Sequence, residues 1–464
     1  MTTYRTPGVY VEEIPLFPPS VAEVETAIPA FIGYTQKAKK NVDNDLYFVP
    51  TRISSLVEYE TLFGGPPPPR CTVDLVEDAV NHSFTITKVN PDADNDNYLL
   101  YYSIKMFFAN GGGPCYVVSV GDYSISVDKG SDGASPSGLM GGLAKIAAED
   151  EPTIIVIPDA VRLATATDHY EVMDMALLQC STLQDRVALV DVYSDVKALR
   201  DTISGDLACL KYGAAYYPWL VTSIAYDYDG ANVIMSASSG SLADKALNSI
   251  EIKAQNNSLY NQIKAELGKN TVTLPPGGAI AGVYARVDAS RGVWKAPANV
   301  ALYGVIKPSV RLTDAEQASL NVNSDAGKSV NAIRAFTGKG ILVWGARTLA
   351  GNDNEWRYIP VRRFFNMVEE SVKKATYWAV FEPNDANTWI KVKSMIENYL
   401  VQKWRDGALT GAKPDEAFFV KVGLGVTMTA QDILEGRMNI EIGMAVVRPA
   451  EFIILKFSHK MQTS

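Results

Sequence analysis

Histidine and cysteine are scarce in this chain of 464 residues, and the few present are scattered. The three histidines lie far from any cysteine or second histidine with which they could form a metal-binding spacing. The cysteines form no Cys-x-x-Cys pair, which is typical of reduced thiols buried in a core. The histidines are His82, His169 and His459, and the cysteines are Cys71, Cys115, Cys180 and Cys209. We therefore expect no metal, no disulfide scaffold and no cofactor.

Long apolar runs are also missing. No stretch approaches the roughly 18 apolar residues of a membrane-spanning helix, so we expect no direct membrane insertion. The first seven residues, Met1-Thr-Thr-Tyr-Arg-Thr-Pro7, include no apolar core of a secretion signal. We expect synthesis in a cytoplasm, which agrees with the isolated cysteines.

Basic charge is in short supply, because the formal net charge is −9 and the pI is about 5.1. Nucleic-acid binding needs clustered lysine and arginine, so we expect no nucleic-acid partner. The charge is uneven, however: residues 331–464 hold 18 Lys and Arg against 14 Asp and Glu, while residues 1–330 hold 25 against 38. A basic end on an acidic protein is compatible with an acidic partner or with a weak chance excess.

Recognisable catalytic motifs are absent as well. The stretch Ala326-Gly-Lys-Ser329 resembles a phosphate loop, but Val322 stands where the first glycine of that loop is required. We interpret it as a turn before a helix over 329–336. The chain is therefore expected not to be an enzyme, although an α/β enzyme with an irregular site stays open as an alternative.

The middle of the chain alternates buried strands with helices. Thr153–Ile157 and Val187–Val192 are nearly continuous apolar runs, and Tyr170–Leu183 between them has helical spacing. This order predicts an α/β fold with a parallel or mixed sheet. Asp159 and Asp191 lie at or near the C-terminal ends of the two strands, where we expect capping or turn roles.

The last third alternates in the same way. Helices are predicted over Val361–Ala375 and Ala386–Trp404, the second capped by Asn384 or Asp385. Strands are predicted over Tyr377–Phe381 and Met438–Val446, the latter from its period of two. Four basic side chains lie on or just after the second helix, either on a solvated face or facing a partner: Lys391, Lys393, Lys403 and Arg405.

Each end of the chain has a β-prone run, the first flanked by prolines on both sides and the second preceded by Pro449. The first comprises Val9, Tyr10, Val11, Glu12, Glu13 and Ile14, and the second comprises Phe452, Ile453, Ile454, Leu455, Lys456 and Phe457. An isolated strand cannot satisfy its own backbone hydrogen bonds. These runs pair either within their own subunit or with the sheets of other copies, and we predict the second arrangement.

Several segments, in order along nearly the whole chain, resemble the tail sheath family of contractile phages, R-type pyocins and extracellular contractile injection systems. They are Pro7–Glu13, Phe107–Val118, Glu151–Ala160, Tyr216–Trp219, Gly282–Asn299, Gly340–Leu349, Trp356–Arg363, Trp404–Leu409 and Pro449–Phe452. Residues near 71–100 and 224–272 depart from the family's compact pattern, and we interpret the second stretch as a solvent-facing insertion.

The resemblance implies a subunit of mixed α/β fold with four parts. These are an N-terminal strand arm (1–19), an outer α/β domain with both insertions (20–330), an inner C-terminal domain (331–448) and a C-terminal strand arm (449–464). Strands from neighbouring subunits would complete the C-terminal domain by β-augmentation. The family implies an inner position for that domain, so the four basic residues become candidates for contact with an inner tube.

The resemblance also implies the assembly. Subunits would stack as hexameric rings wound around the tube, bounded by baseplate and terminal cap proteins, and contraction would drive the tube through a target membrane. The particle would assemble in a bacterial cytoplasm as a phage tail or a related device that is released from the cell. A non-contractile shell or filament subunit using the same arms is the remaining structural alternative.

Overall fold

The structure is a computed structural model that describes residues 20–78, 83–92, 97–133, 135–322 and 327–455. Its strands are β1 (Pro29–Gly33), β2 (Thr51–Ile53), β3 (Cys71–Asp78), β4 (Ser83–Pro91), β5 (Cys115–Ser119), β6 (Ile154–Val156), β7 (Val187–Asp191), β8 (Gly213–Tyr217), β9 (Leu220–Ala225), β10 (Val233–Met235), β11 (Thr271–Leu274), β12 (Val300–Ala301), β13 (Val305–Pro308), β14 (Val330–Phe336), β15 (Gly340–Trp344), β16 (Phe418–Val422) and β17 (Ile440–Met444).

The helices alternate with these strands along the chain. They are α1 (Leu56–Phe63), α2 (Leu100–Ala109), α3 (Gly138–Ile146), α4 (Ala166–Leu183), α5 (Val196–Thr202), α6 (Leu207–Leu210), α7 (Ile250–Lys253), α8 (Asn257–Leu267), α9 (Gly277–Arg291), α10 (Asp314–Asn321), α11 (Ile359–Ala375), α12 (Ala386–Arg405), α13 (Pro414–Ala417) and α14 (Ala430–Leu434).

The described residues divide into two compact units. Unit 1 contains residues 20–24 and 367–447, and unit 2 contains residues 25–366 and 448–455 with the gaps given above. The chain passes from one unit to the other within α11, after Asn366.

Unit 2 is built on a nine-stranded sheet with the order β12-β15-β14-β8-β7-β6-β1-β5-β2. The six strands from β14 to β5 run parallel, and antiparallel strands flank them on both sides. Phe31, Val156 and Val190 on central strands are 0–1% exposed, because helices cover the sheet. This mixed sheet confirms the predicted α/β class.

Helices α2 and α9 pack closely together in unit 2. Gly278 and Gly282 of α9 lie against the backbone of α2, where a Cβ on either would collide with the carbonyl oxygen of Ser103 or Phe107. Close packing against α2 therefore explains why a glycine stands at position 282, the first residue of the segment Gly282–Asn299.

The two stretches interpreted above as insertions, near 71–100 and 224–272, meet in space. Strand β3 pairs antiparallel with β4 and parallel with β10, from Cys71 opposite Val233 onward. Together with α7 and α8, these strands enclose a small core that includes Val73, Leu75 and Ile263. We call β3, β4, β10, α7 and α8 the satellite domain; the second stretch is thus a folded half of this domain and also contributes β11 to a separate sheet, β11-β9-β13.

Two local predictions are wrong. Residues 330–336 form strand β14 rather than a helix, because parallel β8 and antiparallel β15 both pair with it. Tyr377–Ala379 forms a 3₁₀ turn rather than a strand, since Val380 N donates locally to Tyr377 O at 3.2 Å. Strands β14 and β15, assigned above to the C-terminal domain, pair within the sheet of unit 2.

Candidate strand-exchange site

Unit 1 contains a sheet that has two strands among the residues the structure describes, β16 and β17. They pair antiparallel from Phe418 opposite Met444 to Val422 opposite Ile440. Val420 is 4% exposed and contributes to the core of the unit, while Phe419 is 43% exposed. A lone pair of strands is marginal in water, so this sheet has room for further strands at its edges.

The sequence predicted β17 from its period of two but did not predict β16. A signal was present, because Phe418, Val420 and Val422 alternate with Phe419 and Lys421. The two-stranded sheet of unit 1 therefore consists of one predicted strand, β17, and one strand that was not predicted, β16.

The C-terminal run lies exposed in unit 2. Phe452, Ile453, Ile454 and Leu455 are 71%, 81%, 79% and 72% exposed and have no regular secondary structure. Exposure of apolar area to water costs about 25 cal/mol per Å². Four consecutive exposed apolar side chains are therefore unfavourable on a surface that stays uncovered. The described part of the run, Phe452–Leu455, therefore has the composition of a strand but no strand pairing within this subunit.

The other predicted exchange residues lie outside the described part of the chain. They are Val9, Tyr10, Val11, Glu12, Glu13 and Ile14 at the N-terminus, and Lys456 and Phe457 at the C-terminus. Their role stays a prediction.

The four basic candidates lie on α12, which begins at the Asp385 cap and ends at Arg405. Lys391 and Arg405 are exposed on the same side of the helix, since fourteen residues are close to four turns. Lys393 lies 3.7 Å from Glu397. The side chain of Lys403 is 8% exposed, with its ammonium 2.5 Å from Glu23 and 3.4 Å from Asp406. Lys403 is thus held within unit 1, while Lys391 and Arg405 present their charge outward.

The predicted capping roles of Asp159 and Asp191 are confirmed. Asp159 accepts hydrogen bonds from the backbone nitrogens of Tyr34, Leu99 and Leu100 at 2.6–3.0 Å. Asp191 Oδ1 accepts from Gly277 N, at the start of α9, at 2.8 Å. Burial raises the pKa of Asp159 to about 6 and that of Asp191 to about 7, against the lowering effect of these hydrogen bonds.

No group of three His, Cys, Asp or Glu side chains with metal-binding geometry occurs in residues 20–455 apart from the undescribed gaps. Likewise, no helix among the described residues is both long and apolar enough to span a membrane. The features of the described residues that suit strand pairing are the two-stranded sheet of unit 1 and the exposed apolar residues Phe452–Leu455.

Two family models and several solved structures match this chain. Residues 229–349 match the family model of the phage tail sheath protein central domain, and residues 351–460 match that of the phage tail sheath C-terminal domain. The cryo-EM structure of the anti-feeding prophage helical sheath in its contracted state aligns with 99% of this chain and 100% of its own, at 32% identity and a TM-score of 0.64. The chain belongs to the tail sheath protein family.

Further sheath relatives show how far the likeness extends. The contracted sheath complex of the PVC extracellular contractile injection system covers 99% of both chains at 30% identity and a TM-score of 0.64. The tail sheath protein of Vibrio phage KVP40 is 32% identical over 128 residues, which are 27% of this chain. This chain spans about a fifth (19%) of that phage protein's length, whereas it matches the injection-system sheaths from end to end.

Proposed function

We propose that this chain is the repeating subunit of a contractile sheath. Copies stack as hexameric rings around an inner tube, and shortening of the sheath drives the tube through a target membrane. The observation that carries the proposal is the alignment of 99% of the chain with two sheaths in the contracted state. An incomplete sheet and an exposed apolar terminus in one subunit support it, because both suit a protein that finishes folding by assembling.

The strand exchange proceeds by β-augmentation. Val9–Ile14 of one copy and Phe452–Phe457 of another add strands to the β16–β17 sheet of a third. Main-chain hydrogen bonds then hold the copies together, and these bonds do not depend on side-chain packing between rigid domains. A mesh of this kind keeps subunits connected while the domains change orientation.

Two side chains of α12 are candidates for the tube contact. Lys391 and Arg405 are exposed on one side of the helix and suit an acidic tube surface. Lys393 and Lys403 remain secondary candidates, since each has an acidic neighbour within 4 Å in unit 1.

The proposal extends to the particle. The sheath assembles in a bacterial cytoplasm and ends on baseplate and cap proteins, in a phage tail or a related injection device. Support for a baseplate partner comes from the anti-feeding prophage baseplate structure, which aligns with 99% of this chain at 33% identity and a TM-score of 0.64.

Negative-stain microscopy of the expressed chain tests the proposal. The full chain should form wide, hollow tubes, and a variant without residues 1–14 should stay a folded monomer with an unchanged circular dichroism spectrum. Val11→Pro should also prevent assembly, because proline removes a ladder donor, whereas Thr3→Pro outside the predicted strand should not. A full chain that stays monomeric at high concentration would refute the sheath function, and tubes from the deletion variant would refute the role of the N-terminal arm.

A further inference from the structure

One carboxylate in unit 2 brings together three of the segments that carry the family resemblance. Glu451 belongs to Pro449–Phe452, and it is bound by Arg347 of Gly340–Leu349 and by Tyr358 of Trp356–Arg363. Glu451 lies 104 residues after Arg347 and 93 residues after Tyr358 in the sequence. The meeting of these three segments at one side chain indicates a structural role for Glu451.

The contacts saturate the carboxylate. Arg347 donates from Nε to Oε1 at 2.9 Å and from Nη2 to Oε2 at 2.5 Å, which is a bidentate pair. Asn321 Nδ2 donates to Oε1 at 3.0 Å, and the Tyr358 hydroxyl donates to Oε2 at 3.1 Å. We call Glu451, Arg347, Tyr358 and Asn321 the Glu451 clamp.

The clamp is well shielded from water. The Arg347 side chain is 3% exposed and that of Glu451 is 20% exposed. Arg347 Nη1 also donates to the backbone oxygen of Asn321 at 3.1 Å. This hydrogen bond holds the guanidinium in place independently of Glu451. A bidentate pair in such surroundings fixes both distance and direction, which a lysine could not do.

The position of the clamp in the chain gives it a role. Arg448, three residues earlier, donates to Asn354 O at 2.7 Å, so the chain is held at two points as it enters this segment. Phe452, directly after Glu451, begins the exposed apolar run. The clamp is therefore the last fixed point before the predicted exchange strand.

We propose that Glu451 is a positioning residue for strand exchange, and that its clamp fixes where the C-terminal strand leaves the subunit so that the strand meets a neighbouring copy at a defined place. The proposal rests on the sheath function proposed above. Fixing the root of the strand reduces the conformational freedom lost on pairing, which is preorganisation. A released strand would still be able to pair, but it would occupy the competent position only part of the time.

Glu451→Gln in the full chain tests this role, with Asp185→Asn as the matched control. Asp185 also forms a bidentate pair, with Arg186, whose side chain is 1% exposed, but this pair lies far from the chain ends. Both variants should lower the unfolding temperature. Glu451→Gln alone should raise the protein concentration needed for tube formation, by about tenfold if the strand is competent a tenth of the time; Glu451→Asp should be intermediate.

A second measurement reports on the strand in the monomer. Chymotrypsin cleaves after Phe452 only when the preceding residues leave the clamp, so the cleavage rate follows the open population. We expect this rate to rise about tenfold in Glu451→Gln, in proportion to that population, and to stay unchanged in Asp185→Asn. Equal assembly and cleavage behaviour of the two variants would overturn the positioning role.

Removing residues 452–464 separates this inference from the proposed function. Loss of tubes on deletion together with normal assembly of Glu451→Gln would refute the clamp alone. Normal tubes from the deletion variant would instead refute strand exchange by the C-terminal arm.

Discussion

The nine-stranded sheet of unit 2 and the two-stranded sheet of unit 1 are built from similar β-prone residues but differ in how many neighbours each strand has. Strands β1, β6, β7 and β8 are each paired on both sides and buried on both faces. Among the described strands, β16 and β17 pair only with each other, apart from a bridge between Leu409 and Val446 just after β17, and most of their side chains are partly exposed. Unit 2 therefore has a core that one chain completes, whereas the sheet of unit 1 has fewer strand partners among the described residues, and we propose that strands from other copies complete it.

The largest expected effect comes from placing a charge in the exposed C-terminal run. Ile454→Glu should leave the stability of the monomer within about 0.5 kcal/mol, because the side chain is 79% exposed there. It should abolish tubes, since an added strand would bring the charge into an apolar interface. Thermal unfolding and negative-stain microscopy measure the two effects.

Val57→Glu is the matched control for that variant. Val57 is 73% exposed on α1, in unit 2 and outside both arms. If Val57→Glu abolished tubes equally, or if Ile454→Glu still formed them, the C-terminal run would not be the exchanged strand.

The next largest effect concerns the two cores themselves. Phe31 on β1 is 0% exposed and packs edge-to-face on Phe107 with ring centroids 5.3 Å apart. Phe31→Ala should cost about 3–5 kcal/mol of unfolding free energy, because it leaves a cavity. Phe419→Ala on β16, where the ring is 43% exposed, should cost less than about 1 kcal/mol in the monomer.

Urea unfolding, followed by tryptophan fluorescence, measures this difference. The chain without residues 1–14 is the suitable background, since it is expected to stay monomeric. Similar losses from the two variants would mean that the monomer already completes the sheet of unit 1.

The smallest expected effect is a dependence on pH in unit 2. The folded pKa of Asp191 is raised to about 7 from 3.8 by burial, so its contribution to stability is fully present below 3.8 and is lost as pH rises through 7. Between pH 5.5 and 8 this loss should amount to about 2 kcal/mol, at 1.36 kcal/mol per pKa unit.

Asp191→Asn should remove that loss, and the comparison of urea midpoints at the two pH values checks it. Asp43→Asn, at an 80% exposed side chain, is the control for the change in charge. If the pH dependence of Asp191→Asn equalled that of the unmodified chain, Asp191 would not titrate in this range.

Local patterns predicted the centre of the fold because there local and tertiary preferences agree. The strands Ile154–Val156 and Val187–Asp191 lie within continuous or nearly continuous apolar runs, which are typical of buried parallel strands. The prediction failed at 330–336, where pairing on both sides by β8 and β15 forms a strand in place of the expected helix.

Pairings between distant residues were beyond such patterns. The sequence marked 71–100 and 224–272 as separate departures, but nothing local indicates that Cys71 pairs with Val233. Similarly, Glu451 lay within a recognised segment, yet its bond to Arg347 depends on the folded sheet that places Arg347 after β15. The exposed run Phe452–Leu455 was predicted in composition, while its lack of pairing in one subunit became apparent only from the structure.

The divided satellite domain has a consequence for synthesis on the ribosome. Strand β3 is made roughly 160 residues before its partner β10, from Cys71 to Val233. At about 5–20 residues per second, the face that includes Val73 and Leu75 waits about 8–30 seconds for the rest of its core. During that time it is covered only by what lies nearby in the nascent chain, so slow translation and chaperone binding are expected to affect the folding of the satellite domain.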